Sequence, residues 1–311
     1  MRSVPVVWRE GATRLLDYGS DPAAPAVLIV PSLINRYYIL DLLPERSFAR
    51  HLAGHRLRPL VVDWGRPGGA ETGLDIADCV DRLDRALAAA VPVGTSPAAV
   101  VGYCMGGLLA LALALRPSRP IGALALLATP WDFHAERPTQ ARLLGLFGQS
   151  LAAMGIAALP IDVVQSLFLW LDPFLAQRKF TRFAALDADG AQARGFVALE
   201  DWINDGMPLP IAVARECLVS WYGENAPAQG CWRVGGSAVR PQRLRAPALI
   251  VVPGHDRIVP PASAIALAAA IPAVEVMQPP LGHIGMMSAA RAPELLWTPL
   301  AVRLSALLAS E

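Results

Sequence analysis

The short segment at residues 102–107, Gly-Tyr-Cys-Met-Gly-Gly, places a cysteine in a turn between small residues. It follows the β-branched residues Val100 and Val101 and precedes an apolar helical stretch at residues 108–115. A strand, a sharp turn and a helix in direct succession are typical of a nucleophile elbow, whose central residue is held in a strained backbone conformation. A thiol at a helix N-terminus loses its proton readily because the helix dipole favours the thiolate. The pattern predicts that Cys104 is a nucleophile, although this segment alone also fits a glycine-rich turn around a small buried cysteine.

An elbow of this kind requires an acid and then a histidine later in the chain, each at the end of a core strand. Residues 248–253 form an apolar run of the parallel-strand type, and Asp256 follows it. Residues 274–277 have the pattern of a further strand, and His283 comes after it. In this interpretation His283 takes the thiol proton and later activates the acceptor, while Asp256 fixes the imidazole tautomer and stabilises the imidazolium. An aspartate at a strand end also serves as a turn or helix cap, but the ordered set predicts a catalytic triad of Cys104, Asp256 and His283.

Acyl transfer also requires two N–H donors directed at the developing oxyanion. The residue after the nucleophile, Met105, is expected to supply one of them. The second is expected from the loop after the third core strand, at residues 31–36, with either Ile34 or Leu33 as the donor. The sequence does not decide between these two, and the loop also fits an ordinary strand-to-helix connection.

The composition indicates a well-buried chain with little surface charge. Its 311 residues are 54% apolar and 17% charged, with a formal net charge of +1. The length allows one large core with an inserted subdomain, and the charge gives no reason to expect nucleic acid or an anionic membrane as a partner. In a chain without a secretory signal, the four cysteines are expected to be free thiols. They are Cys79, Cys104, Cys217 and Cys231.

The N-terminal residues 1–19 carry charges without an apolar core between them, so we expect no secretory signal and a cytoplasmic location. Residues 98–115 contain no charge, but they include the elbow and its glycines. A buried strand followed by a buried helix therefore explains them better than a membrane span, and no transmembrane segment is expected.

Neither a metal nor a cofactor is predicted. His51 and His55 have the i, i+4 spacing of a helical metal site, but Gly54 is expected to end that helix and no third ligand is evident. A solvated helix end explains the pair better. No G-x-G-x-x-G sequence follows a strand, and no Walker sequence is present.

The order of the elements predicts an α/β fold with a mostly parallel sheet and crossover helices. A helix is predicted at residues 73–90, with apolar residues on one face and aspartates at outward positions. The apolar positions are Ile76, Val80, Leu83 and Leu87, and the outward ones are Asp75, Asp78, Asp81 and Asp84. Further buried strands are predicted at residues 27–31, 60–63, 98–101 and 121–128.

The strand pattern fades after residue 130 and resumes at residue 247. We therefore predict a core formed by residues 1–130 and 242–311, with an inserted cap subdomain at residues 131–241 between the sixth and seventh core strands. Most aromatic residues of the insertion are expected to form a core of its own. They are Phe168, Trp170, Phe174, Phe180, Phe183, Trp202, Trp221 and Tyr222.

With these motifs the chain resembles the polyhydroxyalkanoate synthases. The likeness covers roughly residues 25–290 and rests on four stretches, with a further one in the insertion that resembles the cap of the short, two-subunit synthases. The stretches are Pro-Ser-Leu-Ile-Asn-Arg-Tyr-Tyr-Ile-Leu-Asp-Leu at residues 31–42, Val-Asp-Trp-Gly at 62–65, the cysteine box at 102–107, the segment running from 256–263 to 282–285, and Glu-Asp-Trp-Ile at 200–203.

The resemblance implies an α/β-hydrolase fold with a helical cap inserted before the strand that carries Asp256. It also implies an acyltransferase that moves 3-hydroxyacyl groups from coenzyme A thioesters onto Cys104 and then to the hydroxyl end of a growing polyester, with His283 as general base. A polyester granule surface, a homodimer and a second synthase subunit are the partners it implies. The chain departs from the family pattern at Arg257, where the family usually has histidine.

Two other functions fit the same residues. With water as the acceptor, the triad would act as a thioesterase, an esterase or an intracellular polyester depolymerase, depending on whether a cap excludes water. A non-enzymatic relative that binds granules or an active synthase subunit is expected to have a broken triad, whereas this triad is intact.

Overall fold

The computed structural model describes residues 4–92, 97–116, 121–171, 175–187 and 190–309. Its largest element is an eight-stranded sheet. In chain order the strands of this sheet are β1 (Val6–Glu10), β2 (Thr13–Asp17), β3 (Ala26–Val30), β4 (Arg58–Asp63), β5 (Ala98–Tyr103), β6 (Ile121–Leu127), β7 (Ala248–Val251) and β8 (Val274–Met277).

The strands lie side by side in the order β1-β2-β4-β3-β5-β6-β7-β8. β2 pairs antiparallel with both β1 and β4, and all other neighbours are parallel. Every residue of β3 and β5 is buried, as expected for strands that helices cover on both faces. The predicted α/β fold with a mostly parallel sheet is confirmed. Because the carboxyl ends of β3 to β8 share one edge, the segments that follow these strands converge there.

Eleven α-helices lie within the described part of the chain. They are α1 (Phe48–Gly54), α2 (Ile76–Ala90), α3 (Met105–Ala114), α4 (Pro138–Ser150), α5 (Ile161–Leu171), α6 (Leu175–Ala184), α7 (Ala191–Asn204), α8 (Ile211–Arg215), α9 (Pro261–Ala270), α10 (Gly285–Ser288) and α11 (Thr298–Ala309). Two π-helical segments follow α8 and precede α11, at Glu216–Gly223 and Pro293–Trp297.

The helix predicted at residues 73–90 begins later, at Ile76. The Asp75 side chain accepts a hydrogen bond from the Asp78 N–H (2.9 Å), and the Asp78 side chain accepts one from the Asp75 N–H (3.0 Å). This reciprocal capping box satisfies N–H groups that the first turn would otherwise leave unpaired, and so it fixes the start of the helix. The four apolar residues predicted on the inner face are all buried.

Two hydrophobic clusters cover the two faces of the sheet. Alternation along β3 assigns Leu28 and Val30 to one cluster, and Val27 and Ile29 to the other. The first cluster contains residues of α2, α3 and α9, and the second contains residues of α1 and α11. Cys104 packs against both clusters, because it lies at the end of a central strand.

The chain between β6 and β7 is largely helical, with short strand pairs at Ala158–Leu159 with Leu209–Pro210 and at Arg233–Val234 with Ser237–Ala238. The expectation that its aromatic residues form a separate core is wrong for the buried ones. Trp221 belongs to the first sheet cluster and Trp202 to the second, while Phe180 is half exposed. Phe174 and the side chains of Phe168 and Trp170 lie outside the described residues. The inserted segment is thus packed as a continuation of the sheet core.

Glycines bring the start of α3 into contact with the neighbouring strand ends. A Cβ on Gly106 would overlap the backbone oxygen of Val30, and one on Gly102 would overlap the Cα of Gly107. Backbone atoms cannot rotate away as a side chain can, so only glycine fits at these two positions.

We expect Gly106→Ala to lower the free energy of unfolding by about 3 kcal/mol, since the added methyl group forces the helix and the strand apart. Urea denaturation of the purified protein measures this change. Gly54→Ala is the matched control, because nothing lies within 4 Å of a Cβ at that position, and it should change stability by less than about 1 kcal/mol. Equal stability of both variants would contradict the close approach of α3 to β3.

Candidate active site

Cys104 is the single residue between β5 and α3. Its backbone angles are φ 55° and ψ −126°, a positive-φ conformation that non-glycine residues rarely adopt. Its N–H donates to the Leu127 carbonyl (2.8 Å), which ties the turn to the neighbouring strand. The side chain is partly exposed and caps no helix N–H. The turn therefore presents the thiol at the carboxyl edge of the sheet, in the strained geometry predicted for an elbow.

Asp256 and His283 form a buried hydrogen-bonded pair. His283 Nδ1 lies 2.7 Å from Asp256 Oδ2, and the second carboxylate oxygen accepts the N–H groups of Ile258 (2.8 Å) and Val259 (2.9 Å). With both oxygens occupied in this way, the carboxylate is held in a fixed orientation. The carboxylate accepts the Nδ1 proton, which leaves Nε2 as the ring nitrogen available for chemistry.

The third member of the predicted triad lies within electrostatic reach of this pair. Burial lowers the pKa of His283, but the charge of the nearby Cys104, together with the hydrogen bonds that His283 makes with Asp256 and Cys104, outweighs this effect and raises the pKa to about 10. A charged imidazolium is therefore favoured while the thiolate is present. Of the three sequence-predicted residues, Asp256 and His283 form a hydrogen-bonded pair, and Cys104 follows β5 at the same edge of the sheet.

Tyr103 is a residue of the site that the sequence analysis missed. Its hydroxyl donates to the His283 carbonyl (3.1 Å), and the two ring centroids lie 5.3 Å apart. The ring is buried, and burial together with the charges of Cys104 and Asp256 raises the Tyr103 pKa well above its ordinary value. The phenol therefore stays protonated and serves as a donor that holds the histidine backbone against the elbow.

The loop after β3 offers a backbone donor beside the elbow. The Ile34 N–H donates to Ser32 Oγ (3.2 Å), whereas the Leu33 N–H forms no hydrogen bond within the described residues. The N–H of Met105 is at the first position of α3 and likewise has no partner in that part of the chain. Trp64 Nε1 donates to the Pro31 carbonyl (3.2 Å) and so fixes the start of this loop.

A segment of the insertion, Asp205–Met207, also binds this loop and is called the strap below. The Met207 N–H donates to the Ile34 carbonyl (3.0 Å), and Gly206 forms a bridge with Asn35. Asp205 accepts a hydrogen bond from the Tyr38 hydroxyl (3.1 Å) and forms ion pairs with Arg36 and Arg66. No sequence pattern predicts these contacts, since their partners are distant in the chain: Tyr38 and Asp205, for example, lie 167 positions apart. The conformation of the loop is therefore set jointly by the core and by the inserted segment.

His51 and His55 lie at the C-terminal end of α1, which stops at Gly54 as predicted. His51 Nε2 lies 3.0 Å from Thr298 Oγ1, and His55 Nδ1 lies 2.9 Å from the His51 carbonyl. Among the described residues, no group of three or more His, Cys, Asp or Glu side chains is arranged to hold a metal. In the same part of the chain, each helix is too short or too polar to cross a membrane.

Residues 25–290 match the sequence model of the alpha/beta hydrolase fold family. The chain belongs to that family. An α/β-hydrolase from Exiguobacterium antarcticum, the esterase EaEST, shares this fold with a TM-score of 0.60 over 94% of this chain and 96% of its own, at 14% sequence identity. A likeness at that identity concerns the fold alone.

Within the family, the chain is similar to polyhydroxyalkanoate polymerases, as its motifs predict. The poly(3-hydroxyalkanoate) polymerase subunit PhaC of Haloferax mediterranei is 28% identical over 273 residues, which are 82% of this chain and 54% of that protein. The PhaC subunit of Allochromatium vinosum is 29% identical over 264 residues, 80% of this chain and 71% of that protein. The chain thus spans between about half and about seven-tenths of the length of these relatives.

The influence of Cys104 on the pKa of His283 leads to a prediction. We expect Cys104→Ala to lower the pKa of His283 from about 10, since burial still lowers it and only Asp256 remains to raise it. A pKa raised in the folded state stabilises the protein fully below about pH 6.5 and loses that contribution as the pH rises toward 10. The loss of stability over this range should therefore be smaller in the variant.

An NMR titration of the imidazole carbon-bound protons measures this pKa in both proteins. The His51 signal, whose pKa is lowered by burial, is the internal control and should titrate identically in the two. If the His283 signal also titrates identically, the thiol and the imidazole are not coupled.

The hydrogen bond from the Tyr103 hydroxyl to the His283 carbonyl leads to a second prediction, on stability and on thiol reactivity. Tyr103→Phe keeps the ring and removes the donor to the His283 carbonyl, so the free energy of unfolding should fall by about 1 to 2 kcal/mol. Because the histidine is then less well held, alkylation of Cys104 by iodoacetamide should slow. Tyr18→Phe is the matched control, since it also removes a tyrosine hydroxyl hydrogen bond, but one to Asp41 and not to a residue of the site. It should lower stability and leave alkylation unchanged; equal alkylation rates in both variants would exclude a positioning role for Tyr103.

Proposed function

We propose that this chain is an acyltransferase of the polyhydroxyalkanoate synthase type, which moves 3-hydroxyacyl groups from coenzyme A thioesters to a growing polyester. The observation that carries the proposal is the similarity to the PhaC polymerase subunits over about four-fifths of the chain. The thiol of Cys104, within electrostatic reach of a buried His283–Asp256 pair, supports it independently, because thioester exchange needs a thiolate nucleophile and a proton carrier.

In the first half-reaction, the Cys104 thiolate attacks the carbonyl carbon of the thioester. The bond from that carbon to the coenzyme A sulfur breaks, and His283 gives its Nε2 proton to the departing thiolate. The product is an acyl group on Cys104 and free coenzyme A. Sulfur replaces sulfur, so this loading step is nearly balanced in energy.

In the second half-reaction, the neutral His283 takes the proton of a chain-end hydroxyl, whose oxygen attacks the acyl group on Cys104. The carbon–sulfur bond breaks, the thiolate is restored, and an ester is formed. Asp256 orients the imidazole throughout and stabilises its charged form, in agreement with the hydrogen bond to Nδ1.

Both half-reactions pass through an oxyanion. We assign its donors to the N–H groups of Met105 and Leu33, which have no hydrogen-bond partner in the described part of the chain. Ile34, the other candidate donor from the sequence analysis, already donates its N–H to Ser32 Oγ.

We also propose that residues 131–241 act as a cap over this site, because the strap at Asp205–Met207 reaches the loop that carries Leu33. Exclusion of water by such a cap would favour transfer over hydrolysis. The cytoplasmic location, binding at a polyester granule and association with a second copy or a synthase subunit stay predictions.

Incubation of the purified protein with 3-hydroxybutyryl-coenzyme A tests the proposal. We expect release of free thiol, a mass increase of one acyl group on Cys104, and ester-linked oligomers of 3-hydroxybutyrate. Release of monomeric 3-hydroxybutyrate without oligomers would instead identify a thioesterase, and absence of the acyl-enzyme would refute cysteine-based transfer.

Cys104→Ala should abolish thiol release and acylation, since it removes the nucleophile. Cys104→Ser should retain little activity, because a site suited to a thiolate does not activate a hydroxyl equally well. Cys231→Ala is the matched control: its thiol is exposed and lies outside the site, so activity should be unchanged. In the wild-type protein, iodoacetamide should alkylate Cys104 much faster than the fully buried Cys217; equal rates would favour a non-catalytic protein.

A further inference from the structure

An apolar cavity of about 80 Å³ lies between the inserted segment and the loop after β3. Ile34 is its wall on the side of that loop, and the other walls come from the insertion. They are formed by Leu144, Leu159, Val164, Leu167, Leu209, Ala214, Cys217, Leu218 and Tyr222. The reaction proposed above assigns no role to this space.

One wall of the cavity belongs to the loop that contacts the start of α3, the helix that directly follows Cys104. In this loop Ile34 follows Leu33. Burial raises the pKa of Tyr222, and the charge of Cys104 is the next cause, so the phenol lies within electrostatic reach of the thiol. An acyl group on Cys104, with its oxygen at the Leu33 N–H, therefore has this cavity within reach of its carbon chain.

One wall is built from an unusual helix. Cys217, Leu218 and Tyr222 belong to the π-helical segment Glu216–Gly223. Single π-helical turns are rare and occur frequently at functional sites, because the wider turn changes the direction of the side chains that follow it. Ala214, Cys217 and Leu218 are buried, so this wall is closed to solvent.

The volume limits what fits inside. A cavity of about 150 Å³ lined by aliphatic and aromatic side chains holds benzene, which has six carbon atoms. A cavity of about 80 Å³ is close to half that size and so has room for about three carbon atoms. Its lining is aliphatic except for the Tyr222 ring and the Cys217 thiol, so a hydrocarbon group is the occupant it suits.

We propose that this cavity receives the alkyl substituent on C3 of the acyl group bound to Cys104, and that it restricts the substrate to substituents of at most about three carbons. The inference rests on the proposed function, since it concerns the acyl-enzyme of that reaction. Substrates of this class are 3-hydroxybutyryl to 3-hydroxyhexanoyl thioesters, whose C3 substituents run from methyl to propyl. The pentyl group of a 3-hydroxyoctanoyl thioester exceeds the space.

The test compares the rate of Cys104 acylation, measured by intact-protein mass, with the 3-hydroxybutyryl, 3-hydroxyhexanoyl and 3-hydroxyoctanoyl thioesters of coenzyme A. We expect the first two rates to agree within a few-fold and the third to be at least tenfold lower. Equal rates for all three would overturn the cavity assignment and leave the acyltransferase proposal standing. Failure of every thioester to acylate Cys104 would overturn both.

Two variants change the volume in opposite directions. Leu218→Ala enlarges the cavity and should raise the octanoyl rate relative to the butyryl rate by at least fivefold. Ala214→Val fills it and should lower the hexanoyl rate relative to the butyryl rate by a similar factor. Leu146→Ala is the matched control for the leucine change, since Leu146 is 61% exposed on α4, and both ratios should stay at their wild-type values. Circular dichroism verifies that each variant is folded, and unchanged ratios in a folded cavity variant would refute the inference.

Discussion

The close approach of α3 to the ends of β3 and β5 is the constraint on which the rest of the structure depends. A positive φ at a non-glycine residue costs about 1–3 kcal/mol, and Cys104 keeps that conformation only because its surroundings leave no other. Gly102 and Gly106 let backbone meet backbone on either side of it. Close packing thus maintains the strained conformation of Cys104. As a result, its thiol lies at the edge of the sheet, beside the N–H of Met105 at the first position of α3.

Electrostatics is the second requirement, because an ionised carboxylate and an imidazolium are costly to bury unless each is fully paired. Asp256 meets this requirement through His283 and two backbone N–H groups. For His283, the charges of Cys104 and Asp256 and the hydrogen bond to Asp256 outweigh the desolvation that lowers its pKa. The charged imidazole is therefore stabilised by its neighbours although it is buried.

Sequence patterns predict the parts of this site that follow from local chain chemistry. The strands, the elbow and the positions of Asp256 and His283 after β7 and β8 all depend on runs of neighbouring residues, and a parallel sheet brings such strand ends together by its topology. The contacts that hold the histidine and the loop after β3 in position join residues that are distant in sequence. Tyr103 reaches the carbonyl of a residue 180 positions later, and Asp205 reaches Tyr38 across 167 positions. No local pattern specifies such pairs.

A sequence also does not show which backbone N–H a nearby side chain binds. Leu33 and Ile34 are both apolar residues in the same loop, and only the three-dimensional position of the Ser32 hydroxyl distinguishes their N–H groups. The start of α2 illustrates the same limit at the level of an element, because two of the four aspartates with an outward spacing, Asp75 and Asp78, cap the helix. Periodicity reports which side chains are buried, but it does not report which polar groups pair at the ends.

The loop after β3 links the chemistry to the choice of substrate. Leu33 and Ile34 are adjacent, and in the proposed reaction the first binds the oxyanion while the second forms a wall of the cavity. The Met207 N–H and the Asn35–Gly206 bridge fasten this loop to the insertion that forms the other walls. A substituent too large for the cavity would press on Ile34 and displace the neighbouring N–H from the oxyanion. A displacement of about 1 Å at such a donor is enough to cost a large part of its contribution to the rate. In this arrangement chain length would be discriminated in the acylation step, where a poor fit removes transition-state stabilisation, as well as in binding.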